Sequence, residues 1–255
     1  MRLSLVLPPE EDRRWDMARQ VGVTDAVVHT LEVGSGTTIP HEYDPLLRMR
    51  NAFRDAGLSL SVIEGCVPVT DTTRLGLDGR DEEIERFKTF LRNCGAVGIP
   101  VVAYDWMAGL RWARTSATVR ARGGSLVTEY DDADMRKGPP PAVARNTTRA
   151  DLWANLEYFL EEVVPVAEEA GVKLALHPDD PPRLAVRGMP RIITDPEAYD
   201  RVVDIYDSEY NGIAFCQGNF AALGVDVPAT IRRFGDRINF VHFRDVEGDT
   251  DAFVE

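Results

Sequence analysis

The chain has 255 residues, 44% of them hydrophobic, so it can bury the core of one α/β barrel or of two smaller domains. Its formal net charge of −13 excludes long-range attraction to nucleic acid or to anionic membranes, and we expect neither as a partner. No apolar run could span a bilayer, no secretory signal pattern is present, and the three cysteines are widely spaced. These features predict a cytoplasmic protein without a disulfide scaffold.

In chain order, the first part of the sequence alternates strands with helices. Apolar runs predict strands at 3–7, 25–30, 58–64 and 99–104. Helical spacing of apolar residues predicts helices at 10–22, 44–57 and 81–98. In the first of these helices Trp15, Ala18 and Val21 recur on one face, which we expect to be buried.

The second part resumes this alternation after a long interruption. Residues 105–150 are rich in Arg, Gly and Pro and have weak periodicity, so we expect a long insertion after the fourth strand. Apolar runs then predict strands at 172–177, 212–217 and 238–243. Helices are predicted at 151–171, with a kink near Pro165, and at 195–209 and 228–236.

Strands that alternate with helices in this way are typical of parallel βα units and of the α/β class. No GxGxxG follows the first strand and no GxxxxGK[ST] occurs, which disfavours the common nucleotide-binding sheets. We therefore expect residues 1–255 to form a single (β/α)8 TIM barrel domain with seven of its eight strands present. We expect the eighth strand and the final helices to be missing from these 255 residues.

Such an open barrel would expose the edges of its first and seventh strands. We expect either that the natural chain continues past residue 255 or that a partner covers these edges. A second copy of the chain in a homo-oligomer is one such partner.

The active site of a TIM barrel lies at the carboxyl ends of its strands. The residues at or next to the ends of the predicted strands are, in order, His29, Glu64, Tyr104–Asp105, His177, Cys216 and His242. Alternation places the last three on one face of the sheet, opposite most of the bulky aliphatic side chains. A single buried cysteine is usually a small hydrophobe, and a single histidine at a strand end is usually structural. Three such residues with matching alternation on successive strands nevertheless indicate a metal site.

Four segments resemble the mannonate dehydratases of hexuronate breakdown. They are DWMAGLRWART (105–115), LALHPDDPP (174–182), EYNGIAFCQGNF (209–220) and FVHFRDV (240–246), and the resemblance extends over essentially the whole chain. It implies a TIM barrel of the xylose-isomerase-like group with a bound divalent cation, usually Mn²⁺ or Fe²⁺. The family's ligands are two histidines, a cysteine and an aspartate, and the first three match His177, Cys216 and His242. The aspartate lies on the eighth strand together with the proposed acid and base, so we expect the catalytic residues beyond residue 255.

The implied activity is that of a hydro-lyase of glucuronate catabolism, which dehydrates D-mannonate to 2-dehydro-3-deoxy-D-gluconate. Loss of the C2 proton leaves negative charge beside the carboxylate, which a Lewis-acidic metal would stabilise. Arginine matches the carboxylate of a sugar acid, and residues close to the metal ligands can contact its hydroxyls or orient a ligand. The candidate substrate-binding residues are Arg111, Arg114, Asp179, Asp180, Asn219 and Arg244. Of the two aspartates, one is expected to have this role and the other to shape a polar turn stiffened by prolines.

Three alternatives remain open at this stage. A thiolate ligand favours zinc or another thiophilic metal, whereas manganese prefers oxygen, so the residue types and the family resemblance indicate different metals. A metal-dependent sugar isomerase or epimerase could use the same barrel, although Cys216 is unusual among the carboxylate and histidine ligands of such enzymes. A non-catalytic barrel remnant is the third interpretation.

Overall fold

The computed structural model describes residues 2–29, 41–65 and 67–255. Thr30, at the end of the second predicted strand, and Cys66 lie outside these ranges. Within them the strands in chain order are β1 (Ser4–Val6), β2 (Asp25–His29), β3 (Ser59–Glu64), β4 (Val101–Asp105), β5 (Ser116–Arg120), β6 (Leu126–Asp131), β7 (Lys173–His177), β8 (Ala185–Val186), β9 (Met189–Pro190), β10 (Asn211–Cys216), β11 (Ile238–His242), β12 (Glu247–Gly248) and β13 (Ala252–Val254).

The helices of the same ranges pack around these strands. In chain order they are α1 (Arg13–Gln20), α2 (Tyr43–Asp55), α3 (Asp71–Arg74), α4 (Arg80–Val97), α5 (Asp132–Met135), α6 (Arg149–Ala170), α7 (Pro196–Ile205), α8 (Gln217–Ala222) and α9 (Val227–Phe234). The predicted helices are all present, and α6 continues unbroken through Pro165. No helix of the described ranges has both the length and the apolar character needed to cross a bilayer.

Seven strands form one curled parallel sheet in the order β1-β2-β3-β4-β7-β10-β11. These are the seven strands predicted from the sequence, and each observed boundary lies within about two residues of the predicted one. The register pairs Asp105 with His177 and Cys216 with His242, and the carboxyl ends of these four neighbouring strands lie at the same edge of the sheet. The sheet confirms the predicted barrel class, and its two edges are β1 and β11.

The two faces of this sheet carry different side chains, as alternation along the strands predicts. The inner face holds a small buried cluster made of Val27, Val62, Ala103, Ala175 and Ala214, with Val101 and Phe240 packed against it. The outer face carries larger aliphatic and aromatic residues that pack against the helices in the main core. The three candidate metal ligands at the strand ends therefore lie on the inner face of the sheet, which carries mostly small residues.

The insertion between β4 and α6 is more regular than its composition predicts. Its strands β5 and β6 pair antiparallel, and β6 pairs in turn with β13 near the end of the chain. The resulting four-stranded sheet has the order β12-β13-β6-β5. It joins two distant parts of the chain beside the carboxyl ends of the parallel strands, where Arg114 and Glu255 form an ion pair.

Candidate metal centre

Three metal-competent side chains converge at the carboxyl ends of neighbouring strands. His177 ends β7, Cys216 ends β10 and His242 ends β11, and one potential ligand atom from each lies within 4.8 Å of the others. Cys216 is fully buried, His177 nearly so, and His242 is half-buried. The sequence predicted this grouping, and the cluster could hold a metal ion. By contrast, His29 ends β2 but does not belong to the cluster.

Local structure fixes the cysteine at this position. Cys216 is the last residue of β10 and the N-cap of α8, so the chain turns directly from strand to helix at its side chain. Its thiol lies 3.2 Å from Oδ1 of Asn219, within α8. The Asn219 amide is held in turn, because its Nδ2 donates to the carbonyl of Asp179 at 2.8 Å.

The two histidines present lone pairs to each other. Nδ1 of His177 lies 2.7 Å from the carbonyl oxygen of Pro178, which only accepts, so Nδ1 must be the donor. Nε2 of His242 lies 2.9 Å from Oε1 of Glu64, so Nε2 carries a proton directed at the carboxylate. The remaining nitrogens, Nε2 of His177 and Nδ1 of His242, face each other at 3.1 Å. In the neutral imidazoles both would be acceptors, so this contact requires a proton or a cation between them.

The protonation states of the cluster agree with this need for a proton or a cation between the two histidines. Burial alone would raise the pKa of the Cys216 thiol, but the nearby positive charges of His177 and Arg244 lower it to about 5. Burial would lower the pKa of His242, but hydrogen bonds to Cys216 and Glu64 raise it to about 10. At neutral pH the metal-free cluster therefore holds a thiolate beside an imidazolium, and a divalent cation can replace the proton. These donors fit a soft or borderline divalent metal.

Among the predicted substrate residues, Asp180 lies at the centre of a buried ion network. Arg114 binds it in bidentate fashion, with Nη1–Oδ1 and Nη2–Oδ2 distances of 2.7 and 3.0 Å. Arg244 donates from Nη2 to Oδ2 of the same carboxylate at 2.8 Å. Glu255 also binds both arginines. Burial acts to raise the pKa of Asp180, but the two arginines hold it below its usual value.

Asp179 has a different environment, although it is the next residue. Its Oδ2 accepts hydrogen bonds from the backbone N–H groups of Ile192 and Ile193 at 2.9 and 2.7 Å. Its Oδ1 lies 3.3 Å from Nη1 of the fully buried Arg191. The carboxylate is thus surrounded by protein donors. The sequence left the choice between the two aspartates open, and in the structure both are buried and held by protein donors.

Arg111 is partly exposed at the carboxyl ends of the parallel strands, which together form the mouth of the sheet. Its side chain is 48% exposed, and its Nη2 lies 2.5 Å from Oδ2 of the buried Asp105, which ends β4. Asp105 is held from behind by Arg74, which is almost fully buried, with an Nη2–Oδ1 distance of 3.2 Å. Asp105 thus holds Arg111 beside the mouth of the sheet.

Several residues of this site had no role in the sequence prediction. Glu64 ends one predicted strand and Asp105 directly follows another, which was the available signal, but carboxylates at strand ends are common and neither was assigned a function. Arg74 and Glu255 gave no signal, because their partners are distant in sequence and depend on the packing of α3 and on the pairing of β13 with β6.

Comparison with known proteins gives a consistent family match. The sequence profile of the family described as D-mannonate dehydratase (UxuA) matches residues 14–148 and 141–255. The mannonate dehydratase of Streptococcus pneumoniae (strain 70585) is 36% identical to this chain over 260 residues. That match covers 92% of this chain and 70% of the relative.

Two solved structures match this chain, one in both sequence and fold and the other in fold alone. The crystal structure of mannonate dehydratase from Streptococcus suis serotype 2 matches with a TM-score of 0.89 and 37% sequence identity, covering 100% of this chain and 74% of that one. A xylose isomerase-like TIM barrel protein from Mycobacterium smegmatis matches with a TM-score of 0.54 over 94% of this chain and 69% of that one. Its sequence identity is 15%, so it bears on the fold alone.

Proposed function

This chain belongs to the D-mannonate dehydratase family, and on that premise we propose that it dehydrates D-mannonate to 2-dehydro-3-deoxy-D-gluconate, as a cytoplasmic step of glucuronate catabolism. The observation that carries the proposal is the convergence of His177, Cys216 and His242 at the carboxyl ends of neighbouring strands. A sugar isomerase or a non-catalytic remnant is less well supported, because the close relatives are named mannonate dehydratases and the isomerase-like matches share only the fold.

We assign Nε2 of His177, Sγ of Cys216 and Nδ1 of His242 as the protein ligands of a divalent cation, Mn²⁺ or Fe²⁺. When bound, the cation would supply Lewis acidity that stabilises negative charge developing beside the substrate carboxylate. The histidines are prepared for this role, because the carbonyl of Pro178 and the carboxylate of Glu64 occupy their other nitrogens. This arrangement fixes both the tautomer and the orientation of each ring.

The substrate carboxylate then requires a cationic group that is accessible at the mouth of the sheet. Arg111 is half exposed and is held there by Asp105. Its planar fork suits a carboxylate better than a lysine would. Asp180, fixed by Arg114, and Asn219, fixed by the carbonyl of Asp179, are the proposed partners of the sugar hydroxyls. The substrate would thus be bound between the insertion and the turn that follows β7.

The direct test is to incubate the longest natural form of the chain, which would include any catalytic residues beyond residue 255, with D-mannonate, first with Mn²⁺ and then with excess chelator. The measured quantity is release of a 2-keto-3-deoxy acid. We expect product with Mn²⁺, none with chelator, and a loss of at least about 100-fold in Cys216→Ala. Arg237→Lys, a substitution at the opposite end of β11, serves as the matched control and should keep wild-type turnover. A folded chain that binds metal but releases no keto acid would contradict the proposal. Conversion of a ketose or aldose without dehydration would favour the isomerase interpretation.

A further inference from the structure

Arg244 follows β11 and lies against the sulfur of Cys216. Its Nε donates to Sγ at 3.1 Å. Its Nη2 donates to Asp180 at 2.8 Å and to Oδ1 of Asn219, and its Nη1 donates to Glu255. Four of the five N–H groups of a guanidinium are therefore engaged within the protein. Little donor capacity remains for a substrate carboxylate.

The edge of the guanidinium bridges two electron-rich atoms. Sγ of Cys216 and Oδ1 of Asn219 lie 3.2 Å apart. A thiolate cannot donate a hydrogen bond, so this contact would be repulsive once the sulfur is charged. Arg244 relieves the repulsion, because its parallel Nε–H and Nη2–H groups point at the sulfur and the oxygen respectively. The fork geometry of arginine, which lysine lacks, is what this pair of acceptors requires.

Gly218 provides the space for this arrangement. A Cβ built at position 218 would lie 3.2 Å from both Cγ and Cζ of Arg244 and 3.2 Å from Cγ1 of Val246. These approaches are tighter than ordinary van der Waals contact, so a larger residue would force the Arg244 side chain to shift from its place beside Cys216 by a few tenths of an ångström. The glycine lies in α8 directly after the cysteine turn, and it permits the close approach of the guanidinium to the sulfur.

Arg111 provides a contrast at the same mouth. It is 48% exposed, and its hydrogen bonds to the part of the chain that the structure describes are made through Nη2 alone. Arg244 is 23% exposed and is engaged on every nitrogen. The two arginines therefore have different roles, and Arg111 is the one available to an incoming carboxylate.

We propose that Arg244 is a positioning residue for the metal ligand Cys216, which it orients and polarises through an Nε–H···Sγ hydrogen bond, and that it does not bind the substrate carboxylate. This inference rests on the proposed metal site, and it replaces the role expected for Arg244 from the sequence. An N–H···S bond withdraws electron density from the sulfur, which makes the thiolate a harder and weaker donor. Arg244 would thereby reduce the preference of a cysteine-containing site for zinc over manganese.

The test uses the full chain loaded with Co²⁺, whose thiolate-to-metal charge-transfer absorption reports on the sulfur directly. Arg244→Met removes the donor, and Gly218→Ala keeps Arg244 but displaces it. We expect the band to move to longer wavelength in both variants, because the sulfur electrons are less stabilised. The ratio of Mn²⁺ to Zn²⁺ dissociation constants should also rise, by about tenfold in Arg244→Met. Arg237→Met, at the far end of β11, is the control and should change neither quantity.

An unmoved band in Gly218→Ala and Arg244→Met, together with a KM for D-mannonate raised more than tenfold in Arg244→Met, would overturn the proposal in favour of substrate binding. If Arg244→Met fails to fold, Gly218→Ala decides alone, and an unmoved band there overturns the proposal. If the wild-type chain does not dehydrate D-mannonate but the band still shifts in the variants, the proposed function fails and this inference stands. Absence of a thiolate band in the Co²⁺-loaded wild type overturns the inference.

Discussion

At the scale of single residues, the orientation of His242 depends on the Glu64 carboxylate, which comes from a strand across the mouth of the sheet. Glu64 is buried and accepts the Nε2 proton of His242 at 2.9 Å, which leaves the Nδ1 lone pair pointing at the ligand cluster. A carboxylate in this position both fixes the tautomer and makes the imidazole a stronger ligand. Glu64 therefore contributes to metal binding without touching the metal.

Glu64→Gln should weaken Mn²⁺ binding by about 10- to 100-fold, because an amide carries no charge and can donate to Nε2, which favours the wrong tautomer. Isothermal titration of the full chain with Mn²⁺ measures the change. Glu82→Gln, an exposed position on α4, is the matched control and should bind as the wild type does. Equal Mn²⁺ affinities for the wild type and Glu64→Gln would contradict a role for Glu64 in metal binding.

The Cys216 thiol makes the metal-free chain sensitive to pH. Its pKa is lowered from 9.0 to about 5 in the fold. A group with a depressed pKa contributes stability that is complete above its unfolded pKa and disappears as the pH falls through the folded one. The free energy of unfolding of the wild type, minus that of Cys216→Ala, should therefore increase from pH 5 to pH 8 in the presence of chelator. Urea denaturation at several pH values measures this difference, and a flat difference would contradict a charged thiolate.

The ligands themselves could be predicted from the sequence, because strand ends and alternation are local properties. His177, Cys216 and His242 each close an apolar run on the same face, and the parallel register brings them together. The contacts around them could not be predicted. Asp180 is bound by Arg114 of the insertion and Arg244 by Glu255, and no local pattern encodes such pairings.

At the scale of elements, α4 and α6 approach each other closely at a glycine. A Cβ built at Gly95 would lie 2.2 Å from the carbonyl oxygen of Ala170, which is backbone and cannot move aside cheaply. Both helices cover the outer face of the parallel sheet and contribute many residues to the main core. The close approach thus fixes how α6, which leads into β7 and His177, sits on the sheet.

Gly95→Ala should lower the free energy of unfolding by about 1–3 kcal/mol, in spite of the better helix propensity of alanine, because the helices must separate. Arg92→Ala, an exposed position one turn earlier on the same helix, is the control and should change stability by less than about 0.5 kcal/mol. Both values come from urea denaturation. A Gly95→Ala variant as stable as the wild type would mean that the helices tolerate separation there.

Element prediction succeeded where periodicity was strong and failed where pairing decided the outcome. The helices and the seven parallel strands follow from their apolar patterns, although Val21, expected on the buried face of α1, lies at its C-cap and is 73% exposed. The strands of the insertion were not predicted. They carry no clear alternation, and β6 gains its second neighbour only from β13, far along the chain.

At the scale of the whole molecule, the curl of the parallel sheet creates the site. β3 and β11 are separated by three strands in the sheet order, yet Glu64 of β3 contacts His242 of β11. This contact closes one side of the mouth, and the four-stranded sheet of the insertion and the last residues lies beside it. The site therefore depends on the entire fold, because its side chains come from strands at different positions in the curled sheet.

The most direct test of the central claim, that these strand ends hold a catalytic metal, is X-ray absorption spectroscopy of the Mn²⁺-loaded full chain. The account predicts one sulfur and two imidazole nitrogens among the atoms bound to manganese, and loss of the sulfur signal in Cys216→Ala. A metal surrounded only by oxygen and nitrogen in the wild type, with no change in Cys216→Ala, would contradict it.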